Sequence, residues 1–164
     1  MDTASIKQLK DTLSTLGREE LTGLLIRMVK FKKENKELLT FLLFEAGDLD
    51  AYVYEISLEI KDEFENYRLK TAYYKRKGCR RILRMLKKYI KYAADKEVEV
   101  RLLLAYVSMV AESKTFITTD RVIQKIAFRQ LILAEKSIVK LHEDLQYEYK
   151  LELEELMKRI PQTL

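Results

Sequence analysis

A chain of 164 residues has the size of a single domain and enough length for a hydrophobic core. Its 48% hydrophobic and 35% charged residues exclude a disordered chain, and four Gly with one Pro, Pro161, are too few for the turns of a β-rich fold. The formal net charge of +5 conceals a segregation: residues 66–94 hold eleven Lys or Arg and no Asp or Glu, which leaves 20 basic against 26 acidic residues elsewhere. That pattern is expected of an anion-binding face, or of two oppositely charged parts of one protein that attract each other.

Taken in order, the elements are all helical. Ser5 is placed as an N-cap, followed by Ile6, Leu9, Leu13 and Leu16 at helical spacing, with Gly17 as the stop. A second helix starts near Arg18 and carries the apolar stripe Leu21, Leu24, Leu25, Met28 and Phe31, with Lys30, Lys32 and Lys33 suited to its C-terminal end. Asn35 is expected to cap a short third helix with Leu38, Leu39, Leu42 and Leu43, closed by Gly47. Connections this short predict antiparallel neighbours.

Asp48 or Asp50 opens a longer helix in which Val53, Ile56, Ile60, Phe64, Tyr67, Thr71 and Tyr74 recur every three or four residues, until Gly78 caps or kinks it. From Cys79 onward the spacing predicts a two-faced helix. Lys77, Arg80, Arg84, Lys87 and Lys91 fall on one side with Arg81 and Lys88 at its edge, and Ile82, Leu83, Leu86, Tyr89, Ile90 and Ala93 fall on the other. After a turn at Asp95 and Lys96, residues 98–113 are apolar on nearly every side, which predicts the buried centre of a bundle.

Thr118 or Thr119 is expected to cap the last segment, with Asp120 favouring its positive end. Ile138, Leu141, Leu145, Tyr149, Leu153, Leu156 and Ile160 form its stripe, flanked by Glu143, Asp144, Glu148, Glu152, Glu154 and Glu155. A single helix of that length would run about 60 Å, so two helices bent near residues 141–143, or one long dimerising arm, are expected. The fold class is therefore all-α: one domain over residues 1–164, a helical bundle or short HEAT-like array of about seven helices. A faint echo at an offset of 62 residues pairs Leu21, Leu24, Met28, Leu38 and Leu42 with Leu83, Leu86, Ile90, Val100 and Leu104. A stacked-hairpin duplication gives such an echo, and so does chance between two amphipathic hairpins.

The opening pattern of Leu9, Lys10, Leu13, Leu16, Glu19, Glu20 and Leu21, followed by Lys33-Glu34-Asn35-Lys36-Glu37-Leu38, resembles a bacterial family of small all-helical proteins of unknown function. Residues 102–107 continue the likeness, which spans about residues 6–116 and leaves out the acidic C-terminal helix. The resemblance implies a helical fold and a bacterial source, and it brings no activity, cofactor or catalytic residue.

No constellation for catalysis stands out. His142 is the only histidine, Val139 stands where a Glu-x-x-His pair would need its carboxylate, and Glu55/Glu59/Glu63 and Glu148/Glu152 read as solvated faces. Cys79, the single cysteine, excludes an internal disulfide and lies on the apolar side of its helix, as a buried structural thiol. The four glycines stand apart, so no phosphate loop is present. The polar residues 2–10 give no sign of a signal peptide, and the apolar run 102–111 is about half a membrane span. A cytoplasmic protein without enzymatic activity, cofactor, metal, small-molecule substrate or membrane contact is expected.

The basic stretch is the candidate site. Lys75, Arg76, Lys77, Arg80, Arg81, Arg84, Lys87, Lys88 and Lys91 are suited to a polyanion, and Tyr73, Tyr74 and Tyr92 to stacking on exposed bases. Two functions follow. The first is an interaction or scaffold module for an unknown protein partner, or for a homodimer built through the C-terminal helix. The alternative is binding of nucleic acid or another polyanion through the basic face.

Overall fold

The computed structural model describes residues 2–68, 70–113 and 120–160, and among these it contains eight α-helices, one π-helical turn and no strand. The all-α class is thus shown. The chain, expected as one domain, divides into two compact units, Met1–Phe44 and Glu45–Leu164.

The N-terminal unit comprises α1 (Ile6–Leu13), α2 (Arg18–Phe31) and α3 (Lys33–Thr40), and the π turn Phe41–Glu45 straddles its end. Ser5 caps α1 as expected: its Oγ accepts from Gln8 N at 3.3 Å, and Gln8 Oε1 accepts from Ser5 N at 2.9 Å. Gly17 ends up as the N-cap of α2, with Glu20 reaching back to its N–H at 2.9 Å. Asn35 does not cap α3, which starts two residues earlier behind Lys32. Its Nδ2 instead donates to Met28 O at 2.8 Å, satisfying a carbonyl near the C-terminal end of α2. The stripe of α2 is not buried: Met28 is 59% exposed and Phe31 82% exposed. Phe41 is the one buried residue of this unit among the described ones.

The C-terminal unit holds the core. Asp48 caps α4 (Leu49–Tyr67) by accepting from Ala51 N at 2.9 Å. The expected run through to Gly78 is not one helix: α4 ends at the C-cap Arg68, and α5 spans Ala72–Ala93 behind Thr71. Gly78 is therefore neither cap nor kink. It sits inside α5 where a Cβ would lie 2.5 Å from Cγ of Tyr67, so its missing side chain lets the Tyr67 ring pack against the helix backbone. Ala94, with φ 50°, ends α5 in the left-handed region, and Asp95 caps α6 (Lys96–Glu112) through Val98 N at 2.9 Å.

As its pattern predicts, α6 is the centre: Val98, Val100, Leu102, Leu103, Leu104, Tyr106, Val107 and Val110 are buried. Around it pack α4, α5, α7 (Arg121–Ile138) and α8 (Glu143–Arg159). The split of the C-terminal segment is the first of the two expected arrangements, with the break at residues 139–142 and His142 as N-cap of α8. The inward stripe holds across the break, since Ile138, Leu153, Leu156 and Ile160 are buried. Thr118 and Thr119 lie outside the described residues, and the cap of α7 is Asp120.

Tyrosine hydroxyls cross-link the helices. Tyr52 OH donates to Tyr89 O at 3.0 Å, Tyr106 OH to Cys79 O at 3.1 Å, and Tyr149 OH to Glu97 at 2.8 Å. Between α4, α6 and α8 a cavity of about 680 Å³ is lined by Lys61, Phe64, Arg68, Met109 and Glu152 among others. No described helix is long and apolar enough to cross a membrane.

Candidate anion-binding groove

Helix α5 presents the two faces its sequence predicts. Cys79, Ile82 and Leu86 are fully buried, so one side is fixed against the core. Lys77, Arg80, Arg84, Lys87 and Lys91, at alternating steps of three and four residues, are exposed on the other. The row is about 21 Å long from Lys77 to Lys91. None of these five cations takes part in an ion pair among the described residues.

The other candidate cations are committed to the fold. Arg76 Nε donates to Asp120 Oδ2 at 2.7 Å. Asp120 Oδ1 meanwhile accepts from Val122 N at 3.0 Å and Ile123 N at 3.3 Å, so one buried carboxylate caps α7 and ties it to α5. Arg81 hydrogen-bonds Tyr67 OH and Glu63, both at 3.4 Å, and the Tyr67 hydroxyl and then the Glu63 carboxylate hold its pKa above the ordinary arginine value. Lys88 lies over the rings of Tyr89, at 5.0 Å, and Tyr92, at 5.9 Å. Lys75 is half-buried and has interactions of its own. Carboxylates from α4 and α7 thus relieve part of the acid-free stretch, and the exposed row is what remains.

The aromatic candidates separate in the same way. Tyr73 and Tyr74 are exposed and meet edge to face with ring centroids 5.4 Å apart. Tyr92 is buried, at 9% exposure, at the flank of the helix about 80° round from Ile82, with its ring edge to face on Tyr89 at 6.3 Å. It is not available to stack on a base.

Between α5 and α7 runs a groove of about 860 Å³. Lys77, Arg80, Arg84 and Lys87 line one side of it. Leu83 of α5 and Val122 and Ile126 of α7, all half-buried, give it an apolar floor. Helix α7 also carries exposed Arg121, Lys125 and Arg129, which lie within about 100° of Val122 around the helix and outside the groove's own lining. The sequence reading missed these three and the groove itself, although their four-residue spacing beside an apolar pair carried the signal. A row of guanidinium and ammonium groups beside an apolar strip attracts carboxylates or phosphates and offers surface to the apolar part of the same ligand.

The remaining reactive groups are occupied or remote. The Cys79 thiol is buried, and desolvation pushes its pKa up to about 12, so it stays protonated at neutral pH. His142 is exposed beside Asp144 at 3.3 Å. Glu63 faces Arg81, and Glu59 accepts from Tyr89 OH at 3.2 Å. Among the described residues no group of three or more His, Cys, Asp and Glu side chains is placed to hold a metal ion. Compared with protein-family models, curated proteins and solved structures, the chain matches none.

Proposed function

We propose that the protein is a non-enzymatic interaction module that receives an acidic, amphipathic segment of a protein partner in the groove between α5 and α7. The observation that carries this reading is the row of five exposed cations, without an ion pair among the described residues, beside the half-buried Leu83, Val122 and Ile126. A helix with carboxylates flanking an apolar ridge satisfies both halves of that surface at once, and the charges steer its approach. A reducing cytoplasmic setting belongs to the same reading and rests on a buried, unbridged thiol. The bacterial source rests on the resemblance alone.

Nucleic-acid binding is the second reading, favoured by the exposed rings of Tyr73 and Tyr74 beside the cations. It draws on fewer groups than the sequence offered, because Tyr92 is buried and Arg76 is held by Asp120. Five phosphate contacts would make it lose about a hundredfold or more in affinity between about 50 and 200 mM salt.

Fluorescence polarisation separates the readings. The probes are a labelled amphipathic peptide with leucines at i,i+4 flanked by glutamates, and single- and double-stranded oligonucleotides. The peptide is expected to bind at low salt. That binding should disappear when Arg80→Glu, Arg84→Glu, Lys87→Glu and Lys91→Glu are combined, with the melting temperature nearly unchanged because all four side chains are exposed. Binding of the oligonucleotides in preference to the peptide moves the function to the second reading, and a monomeric protein that holds neither probe at low salt overturns both.

A further inference from the structure

The outward side of α8 mirrors the groove. Leu153 and Leu156 turn into the bundle, whereas Tyr147 and Leu151, one turn apart, are 68% and 53% exposed. Glu143, Asp144, Glu148, Glu154 and Glu155 are exposed too, and all lie within about 100° of Tyr147 around the helix. The result is a small apolar ridge ringed by five carboxylates. Asp144 meets His142, and Glu155 pairs with Arg159, while Glu143, Glu148 and Glu154 have no ion pair among the described residues. At 17 residues α8 is about 25 Å long, close to the roughly 21 Å of the basic row.

We propose that the occupant of the groove is α8 of a second copy of this chain. Tyr147 and Leu151 then cover Leu83, Val122 and Ile126, and the flanking carboxylates meet Arg80, Arg84 and Lys87. Within one chain this match is not used: α8 packs on α6 and α7, and no described ion pair joins its carboxylates to the basic row. Each copy carries one groove and one such helix, so a two-fold pair exchanging α8 helices satisfies both surfaces on both partners. The inference rests on the reading of the groove as a receptor for an acidic helix, and it names that helix.

Charge exchange tests it. One variant combines Arg80→Glu, Arg84→Glu and Lys87→Glu; the other combines Glu148→Lys, Glu154→Lys and Glu155→Lys. Multi-angle light scattering on the wild type at low salt is expected to give twice the 19.5 kDa of the chain, falling to the monomer mass at high salt. Each variant alone sets like charges against each other and should be monomeric. An equimolar mixture restores both complementary contacts and should return to the dimer mass, an outcome that a folding defect in either variant cannot produce. A wild type that stays monomeric at low salt overturns the inference, and so do variants that remain dimeric or a mixture that stays monomeric. If the acidic peptide still binds to such a monomer, the groove reading stands and only its occupant is wrong; if it does not, both fall together.

Discussion

Helices α2 and α5 carry leucines in the same register, and the structure treats them in opposite ways. Leu24 of α2 is 43% exposed, whereas its echo 62 residues later, Leu86 of α5, is fully buried. Leu42 is 55% exposed and its counterpart Leu104 is 1% exposed. A spacing of three and four residues fixes that a segment is helical and which side is apolar. Whether that side reaches a core depends on how many other helices are present to cover it. The five described helices of the C-terminal unit share one interior centred on α6; α1, α2 and α3 bury none of their residues. The echo therefore records a shared helical period and not a shared packing role.

Truncating the paired positions is the sharpest way to break that contrast. Leu104→Ala removes a buried side chain from the central helix and should cost about 2–5 kcal/mol in urea unfolding. Leu42→Ala removes an exposed one and should change stability by no more than about 0.5 kcal/mol. Equal losses at the two positions would mean that the N-terminal unit has a buried face of its own, and the comparison would collapse.

Next in size is Gly78. Building a Cβ there puts it 2.5–2.8 Å from three atoms of the Tyr67 ring, close to the base of that side chain where it has little freedom to move. Gly78→Ala should cost about 1–3 kcal/mol, despite alanine's better helix propensity. Pairing it with Tyr67→Ala should cost less than the two separate losses added together, because the clash disappears with the ring. Strict additivity would show that the two residues do not touch.

Gly78 also marks the limit of what the sequence made legible. The all-α class, the burial of α6 and the capping by Ser5 and Asp48 follow from local periodicity and cap chemistry, which a single chain displays; the eighth helix and the cap at Asp95, read only as a turn, did not. A glycine inside a helix looks the same as a glycine at its end, and only the Tyr67 ring arriving from α4 decides between them. The candidate site divides along the same line. The exposed row from Lys77 to Lys91 was readable because one helix generates it. The pairing of Arg76 with Asp120, of Arg81 with Glu63, and the floor supplied by Val122 and Ile126 were not, because each joins residues from different helices. Tyr92 failed as a stacking residue for a related reason. Its helical angle sets it beside Arg81 and Lys88 at the flank of α5, and one helix's period does not show that the fold covers that flank.

The smallest expected effect comes from Glu152, which lines the cavity between α4, α6 and α8 with Lys61 and Arg68 nearby. Burial, and then the neighbouring Glu155 carboxylate, raise its pKa above the ordinary glutamate value, so the folded chain holds this proton more tightly than the unfolded chain does. The contribution to stability is complete below the unfolded pKa and is lost as pH rises from that value through the folded one. At neutral pH the charged form is a penalty. Glu152→Gln removes the charge and should raise the melting temperature at pH about 7, leaving it unchanged near pH about 3.5, where both side chains are neutral. Because Glu152 keeps contact with solvent, the gain should stay below about 1 kcal/mol. A variant less stable than the wild type at neutral pH would mean that the carboxylate is favourably paired inside the cavity, and that this wall of the C-terminal unit welcomes charge as the open face of α5 does.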